Sequence, residues 1–132
     1  MPGVSEAMAE WRLTLNPEGG EADKRRTIVA ENNGAIVGVV VVNINASEPE
    51  SGHLSRLYVD PSAWGQGIGT LLYFAAIRHL LASGCKRATL WTLEKNTQAR
   101  QWYERLGWKA TGERIAVYPA GEVYDIVYSL DL

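Results

Sequence analysis

A glycine-rich segment between a strand and a helix constrains this chain more than any other feature. Residues 53–59 predict a strand that stops at Asp60-Pro61, and three glycines follow within five residues: Gly65, Gly67 and Gly69. The apolar segment 67–83 then predicts a helix ended by Gly84. Glycines let backbone N–H groups face a ligand, and a helix start adds unpaired N–H groups with partial positive charge. The segment therefore predicts a phosphate cradle built from backbone.

Two common phosphate-binding patterns do not fit this segment. No Gly-Lys-Ser/Thr follows the loop, and the glycine spacing is G-x-G-x-G rather than the G-x-G-x-x-G of dinucleotide-binding domains. That spacing, and the lack of repeated βαβ units, speak against a Rossmann-type nucleotide-binding domain. A glycine-rich turn without any ligand stays open as an alternative, because the motif alone is not specific.

Composition and charge limit the class of protein. The chain has 132 residues, 46% hydrophobic and 21% charged, which predicts one globular domain over residues 1–132. Its net charge is −2, whereas nucleic-acid binders usually carry a basic excess, so we expect no nucleic-acid partner. The longest apolar run, residues 36–42, is too short to span a membrane. Without a signal-peptide pattern, and with Cys85 as the single cysteine, the sequence predicts a cytoplasmic protein.

Periodicity predicts an α+β, or mixed α/β, layered domain with the element order α-βββ-α-β-α-ββ. Residues 4–14 have helical spacing, although Trp11, Leu13 and Leu15 also alternate as in a strand. The remaining predicted elements are helices at 67–83 and 97–106 and strands at 26–31, 35–45, 53–59, 87–93, 113–118 and 123–130. Asn32-Asn33-Gly34 predicts a tight turn between the first two of these strands.

A second motif, residues 96–108, adds to the glycine loop a resemblance to one family. The glycine loop resembles the acyl-CoA loop of the GNAT superfamily of N-acetyltransferases. In that family the loop has the pattern Gln/Arg-x-x-Gly-x-Gly/Ala and follows a strand that ends in Val-x-Pro. The matching residues are Val59, Pro61, Gly67 and Gly69, whereas Trp64 stands where the family has Gln or Arg. The second motif, from Asn96 to Trp108, resembles the family's Asn-x-x-Ala-x-x-aromatic-Tyr-Glu-x-x-Gly-aromatic pattern.

The resemblance covers residues 26–130 and implies a GNAT-like central, mostly antiparallel sheet flanked by helices. It implies acetyl-CoA as the donor and a primary amine as the acceptor, with direct attack in a ternary complex. Amides from Gln66 to Thr70 would hold the pyrophosphate, and the backbone of residues 57–59 would pair with the pantetheine arm. The CoA-binding residues implied in this way are Leu57, Tyr58, Val59, Trp64, Gly65, Gln66, Gly67, Ile68, Gly69, Thr70, Asn96 and Tyr103.

The family's general acid corresponds to Tyr103. A thiolate leaves more easily when it receives a proton, and a phenol with a pKa near 10 can supply one. The alternative is a core residue, because Ala99, Trp102 and Leu106 share its helix face. Asn96 begins the same helix, where capping alone would also explain an asparagine.

The general base is open between several residues. His53 lies on the strand where the family often places its base, and its pKa can be tuned near neutrality. Period two would put it on one face with Ser55, Leu57 and Val59. Glu94, at the end of the next strand, is the second candidate, and Glu31 or a water molecule are further ones.

The remaining polar and aromatic residues favour structural roles. His79 is expected to be structural or exposed, Cys85 an ordinary thiol despite the cations that follow it, and Arg100, Glu104 and Arg105 surface residues. No His or Cys pair has metal-ligand spacing, so we expect no metal. Five aromatic residues border the expected cleft or fill the core: Trp11, Trp91, Trp108, Tyr118 and Tyr124.

The acceptor and the assembly are the least determined features. The acceptor is a small-molecule or peptide amine, and a CoA-binding regulatory module without turnover is the alternative to an enzyme. GNAT domains usually open with a strand and two helices, whereas about 25 residues precede the hairpin here. We therefore expect a shortened N-terminus that lacks the first strand and helix, unless residues 4–14 replace one of them. An incomplete sheet edge covered by a second copy would make a homodimer.

Overall fold

One mixed sheet organises the fold. The computed structural model describes residues 25–45, 47–117 and 122–132, together with the backbone of residues 12–17. Within these residues, seven strands form a single sheet in the order β1-β2-β3-β4-β5-β7-β6. The strands are β1 (Arg12–Pro17), β2 (Arg26–Asn32), β3 (Ala35–Ile44), β4 (Ser51–Val59), β5 (Arg87–Leu93), β6 (Lys109–Ala116) and β7 (Tyr124–Asp131). All neighbouring strands are antiparallel except β4 and β5. The predicted mixed α+β fold with a mostly antiparallel sheet is confirmed.

Two helices cover one face of this sheet within the described residues, α1 (Ile68–Ala82) and α2 (Thr97–Arg105). The rings of Tyr73 on α1 and Trp102 on α2 lie 5.4 Å apart, so the helices contact each other. The indole of Trp108, which is buried, donates a hydrogen bond of 2.8 Å to the Tyr73 hydroxyl. The buried face of α1 is formed by Ile68, Leu72, Tyr73, Ala76 and Leu80, whereas Leu81 is half exposed.

The sheet opens between β4, its central strand, and the neighbouring β5. They pair in parallel only from Ser51 opposite Arg87 to Leu54 opposite Leu90. Beyond these pairs, β4 continues to Val59 beside β3, and β5 continues to Leu93 beside β7. A gap between the two strands follows, and the unpaired edge of β4 borders it.

A bulge in β4 determines which side chains face the helices. Val41 is opposite Arg56 and Val42 is opposite Leu54, so Ser55 is an inserted residue, and its hydroxyl donates to the Val41 carbonyl at 3.2 Å. The insertion reverses the alternation of side chains. The prediction that His53 shares a face with Leu57 and Val59 is therefore wrong. Val59 points towards α1, whereas His53 points to the face without α1 and α2.

The two ends of the chain differ from the sequence-based predictions. A helix is predicted over residues 4–14. Residues 4–11 lie outside the described residues, and residues 12–14 belong to β1 instead of a helix. Of the two expectations for the N-terminus, the one in which residues 4–14 replace a missing element fits the first strand, because β1 includes residues 12–14, pairs antiparallel with β2 and continues the sheet. β6 begins four residues before the predicted 113, and the predicted turn over residues 119–121 lies outside the described residues. The β2–β3 turn is confirmed, since Asn33 and Gly34 both have positive φ, as in a type I′ turn.

Candidate active site

A cleft of about 520 Å³ lies on the helix-bearing side of the gap, between the start of α1 and one face of α2. It is therefore bordered by both sequence motifs at once. The residues that line it are Leu57, Val59, Ala63, Trp64, Gly65, Gly67, Ile68, Gly69, Thr70, Asn96, Gln98, Ala99, Trp102 and Arg105. Most of the predicted CoA-binding residues are among them, and the exceptions are Tyr58, Gln66 and Tyr103.

The glycine loop presents the start of α1 to this cleft. Gly65 and Gly67 have φ of 79° and 78°, a conformation that other residues rarely adopt, and Gly67 caps α1 without a side-chain hydrogen bond. The first backbone hydrogen bond of α1 runs from the Leu71 N–H to the Gly67 carbonyl, at 3.0 Å. The N–H groups of residues 68–70 are therefore left for an outside acceptor. With the partial positive charge of the helix start, they form a site for an anion.

The edge of β4 supplies the second set of backbone groups. In an antiparallel pair, residues alternate between exchanging both hydrogen bonds and exchanging none. Asp60 donates to the Val37 carbonyl at 2.7 Å, which makes Tyr58 opposite Val39 the next bonded pair. The backbone groups of Leu57 and Val59 therefore point into the gap. The Val59 carbonyl is already used there, because it accepts a 2.8 Å hydrogen bond from the Trp64 indole.

One face of α2 forms the opposite wall of the cleft. Its first turn is capped by the Asn96 side chain, which accepts from the Ala99 N–H at 3.2 Å, so the capping role is confirmed. Gln98, Trp102 and Arg105 follow at helical spacing and line the cleft. Arg105 is a functional candidate that the sequence analysis took for a surface residue. The spacing from Gln98 through Trp102 would have shown that it shares their face.

Two other charged residues of α2 are held in place by the sheet. Arg100 donates to the Tyr128 hydroxyl and to the Glu94 carbonyl, both at 3.0 Å. The same hydroxyl donates to the Glu104 carboxylate at 2.6 Å. Glu104 is exposed, as expected, but its carboxylate is also bonded, so it and Arg100 tie α2 to β7.

Tyr103 lies beneath the wall of the cleft rather than in it. Its side chain is 8% exposed, and its ring lies 5.1 Å from that of Trp102 and 6.2 Å from that of Trp108. Burial, and to a smaller degree the neighbouring Tyr73, raises the pKa of Tyr103 to about 12. The phenol is therefore protonated at any physiological pH. Its cleft-lining neighbour Trp102 is the residue immediately before it.

His53 lies on the other face, just before the strands separate. Its Nδ1 is 2.8 Å from the Thr89 hydroxyl, and its ring meets Trp91 edge-on at 5.4 Å. Burial lowers the pKa of His53, so the neutral imidazole predominates at pH 7. A second cavity of about 350 Å³ opens here, lined by Asn43, Asn45, Ser51, Gly52, His53, Thr89 and Trp91.

The other candidate bases are differently placed. The Glu94 carboxylate binds Arg114 through both oxygens, at 3.1 Å each, and the Arg114 guanidinium lies 3.9 Å from the centre of the Tyr124 ring. Glu31 is on β2, which β3 separates from the gap. Because Glu94 is engaged by Arg114 and Glu31 lies away from the gap, His53 is the candidate base that lies beside the last paired residues of β4 and β5.

The remaining side chains singled out in the sequence have structural surroundings. Cys85 is buried, which raises the pKa of its thiol, so the following cations do not activate it. His79 lies on α1 near Arg26, and burial and that charge lower its pKa. Trp91 is half exposed, Tyr124 is half-buried, and Trp11 and Tyr118 lie outside the described residues. Across the described part of the chain, no helix is long and apolar enough to cross a bilayer, and no three His, Cys, Asp or Glu side chains cluster as metal ligands.

Comparison with known proteins points to one family. The model of the acetyltransferase (GNAT) family matches residues 4–108. A mycothiol acetyltransferase of Gordonia bronchialis is 42% identical over 60 residues, which cover 46% of this chain and 20% of that protein. The peptidyl-lysine N-acetyltransferase YjaB of Salmonella typhimurium is 39% identical over 75 residues, or 57% of this chain and 48% of the relative. The chain thus spans between a fifth and a half of these curated relatives.

A solved structure supports the same fold. The PaiA N-acetyltransferase of Thermoplasma acidophilum, in complex with coenzyme A, superimposes with a TM-score of 0.66 at 18% identity. The match covers 83% of this chain and 62% of that one, and at this identity it bears on the fold alone. The family model covers most of the chain, including the glycine loop and the motif of α2. On this evidence, the chain belongs to the GNAT acetyltransferase family.

Proposed function

We propose that this chain transfers an acetyl group from acetyl-CoA to a primary amine, by direct attack of the amine on the thioester in a ternary complex. One observation carries the proposal. The glycine loop at the start of α1 and the motif of α2 line a single cleft, and that cleft lies over the gap between β4 and β5. An anion site and an open strand edge therefore border the same cleft, and Tyr103 lies beneath its wall.

The cleft suits the two chemically different halves of CoA. The pyrophosphate would accept hydrogen bonds from the N–H groups that follow Gln66, and Arg105 is the positively charged side chain in the described lining. The pantetheine arm carries amides and would pair with the open edge at Leu57 and Val59, as an added strand does. Since the net charge is −2, such a local site is what anion binding requires.

The reaction needs one group to take a proton and one to provide it. The amine nitrogen bonds to the carbonyl carbon, the C–S bond breaks, and the sulphur leaves with the bonding electrons. In this scheme, His53 takes the proton that the nitrogen loses, and Tyr103 donates to the departing sulphur. Because the pKa of Tyr103 is about 12 and that of a thiol about 8.5, full proton transfer to the thiolate is uphill, so the phenol assists the departing sulphur chiefly by donating a hydrogen bond to it.

His53 can act as the base in only one of its two neutral forms. If Nδ1 carries the proton and donates to the Thr89 hydroxyl, the Nε2 lone pair is free to accept a proton. The ring lies on the face without α1 and α2, next to the last paired residues before the gap, so the acceptor amine would approach from that face. Glu94 is left out of this scheme because its carboxylate is paired with Arg114.

The acceptor is proposed only as a class. The relatives are named for mycothiol and for peptidyl-lysine, so both small-molecule and peptide amines are represented among them. The cavity beside His53 combines amide, hydroxyl and indole groups, which would suit an acceptor with hydrogen-bonding groups of its own.

The test is release of free thiol from acetyl-CoA over a panel of amines, with wild type and Tyr103→Phe compared. We expect Tyr103→Phe to lower turnover about 100-fold, the usual contribution of a general acid, with little change in the affinity for acetyl-CoA. Unchanged turnover would remove Tyr103 from the reaction. Circular dichroism of both proteins controls for folding, because Tyr103 is also part of the core.

A CoA-binding module without turnover is the second candidate. The observation in its favour is that the Tyr103 side chain lies beneath the cleft wall. CoA binding by calorimetry without thiol release for any amine of the panel would support this candidate over the enzyme.

A further inference from the structure

The residue that departs from the family pattern, Trp64, has an unusual place in the cleft. Its side chain is 67% exposed, yet its indole N–H donates a 2.8 Å hydrogen bond to the Val59 carbonyl. That carbonyl belongs to the open edge of β4, where the backbone points into the gap. Trp64 thus lines the cleft and also uses one of its hydrogen-bonding groups.

The open edge offers few groups, so the loss of one matters. Leu57 and Val59 each direct one N–H and one carbonyl into the gap, which makes two acceptors. Trp64 occupies the acceptor nearer the glycine loop and leaves the Leu57 carbonyl. An extended ligand that pairs with this edge needs acceptors for its own amide N–H groups. The indole N–H is a donor of the same kind and competes for the same carbonyl.

We propose that Trp64 closes the loop end of the β4 edge, and that the amide-bearing arm of CoA displaces its indole from the Val59 carbonyl on binding. The inference rests on the proposed CoA site. Gln or Arg at this position would have a more flexible side chain, whereas the indole N–H is held by a rigid ring.

The displacement is favoured by the way Trp64 is held. The side chain is largely in solvent, and this hydrogen bond is its polar contact within the described residues. A hydrogen bond between neutral groups contributes little net free energy when water can replace the partner. The indole can therefore leave the carbonyl without disturbing the core, and its departure lengthens the edge available to the arm.

The experiment compares binding of coenzyme A itself to wild type and to Trp64→Phe by titration calorimetry. Trp64→Phe keeps an aromatic ring in the wall but removes the competing N–H, so we expect CoA to bind about 2- to 10-fold more tightly. Phe74→Leu, which alters an exposed aromatic residue on α1 outside the cleft lining, is the control and should bind CoA like wild type. Equal or weaker binding by Trp64→Phe would overturn the proposal.

A second measurement follows the indole directly. In a ¹⁵N–¹H spectrum, the resonance missing from Trp64→Phe is that of the Trp64 indole. On addition of CoA to wild type, we expect this resonance to move upfield as its hydrogen bond is lost, while the Trp91 indole on the other face stays in place. An unmoved Trp64 resonance in the CoA-bound protein would show that the carbonyl accepts both donors, which contradicts displacement. If wild type fails to bind CoA at all, the proposed function fails, which is a different result.

Discussion

Thr89 is the hydrogen-bond partner of the His53 ring. The hydroxyl lies 2.8 Å from Nδ1, and when it accepts the Nδ1 proton it leaves Nε2 as the basic nitrogen. In the proposed function Thr89 would therefore be a positioning residue, and its position opposite His53 follows from the short parallel pairing of β4 with β5. The sequence showed His53 as a candidate base but gave no sign of this partner, which is 36 residues away along the chain.

We expect Thr89→Val to lower kcat/KM by about 3- to 10-fold, because the shape is kept but the hydrogen bond that selects the tautomer is lost. The pH profile distinguishes this role from simple support of the fold. Burial lowers the pKa of His53, so wild type should lose activity only below about pH 6.5, as the imidazole takes up a proton.

In Thr89→Val the acidic limb of the pH profile should remain but shift along the pH axis, whereas in His53→Ala this limb should disappear. A Thr89→Ser variant retains the hydroxyl and should recover most of the activity. If Thr89→Val keeps the wild-type profile and rate, the hydroxyl has no part in positioning the imidazole.

At the scale of elements, β3, β4 and α1 fit together through a position where no side chain fits. A Cβ added at Gly38 would lie 2.8 Å from Leu72 Cδ1 and 3.3 Å from Ile68 Cγ2, both on α1. It would also lie 3.3 Å from the Tyr58 carbonyl oxygen, which cannot rotate away. Gly38 therefore lets the start of α1 approach the sheet where β4 borders the gap.

We expect Gly38→Ala to lower the free energy of unfolding by about 1–3 kcal/mol, the usual cost of overpacking a core, and to weaken CoA binding as α1 moves outward. Gly69→Ala is the control for stability, since its Cβ would meet only Val59 Cγ2 at 3.6 Å. Urea denaturation of both variants gives the comparison. A Gly38→Ala protein as stable as wild type would mean that α1 and the sheet adjust without cost.

The elements show where sequence reasoning succeeded and where it could not. β5 has the predicted limits, residues 87–93. Each end of α1 and α2 lies within one residue of its predicted position, because glycines and Asn96 mark those ends in the sequence. The bulge at Ser55 had no local signal, since an inserted residue shows only when the partner strand is known. The spacing of Gln98, Trp102 and Arg105 shows that they share a helix face, but only the packing of α1 beside α2 shows that this face lines a cleft.

At the scale of the whole molecule, the proposed function uses two faces that meet at one gap. The cleft lined by the glycine loop lies on the side with α1 and α2, and His53 lies on the other, so in the proposed function the donor and the acceptor would meet where β4 and β5 diverge. A homodimer stays a prediction. The homodimer was predicted from an incomplete edge of the sheet beside the β2–β3 hairpin. That edge is not open at β2, because β1 pairs with β2 there.

Both histidines of the chain are partly buried, and this links stability to pH. Burial lowers the pKa of His53 and of His79 in the folded state relative to the usual value near 6.5. Between the lowered and the usual pKa, the unfolded chain binds more protons than the folded one, so the free energy of unfolding falls as pH falls from 7 through that range. Above pH 7 neither histidine contributes to the slope.

We therefore expect the melting temperature to be constant from pH 7 to 8 and to decrease from pH 6.5 to 5. The double variant His53→Gln/His79→Gln should show a shallower decrease over the lower range, measured by thermal denaturation in buffers of equal ionic strength. A decrease of the same slope in both proteins would assign the acid sensitivity to carboxylates instead.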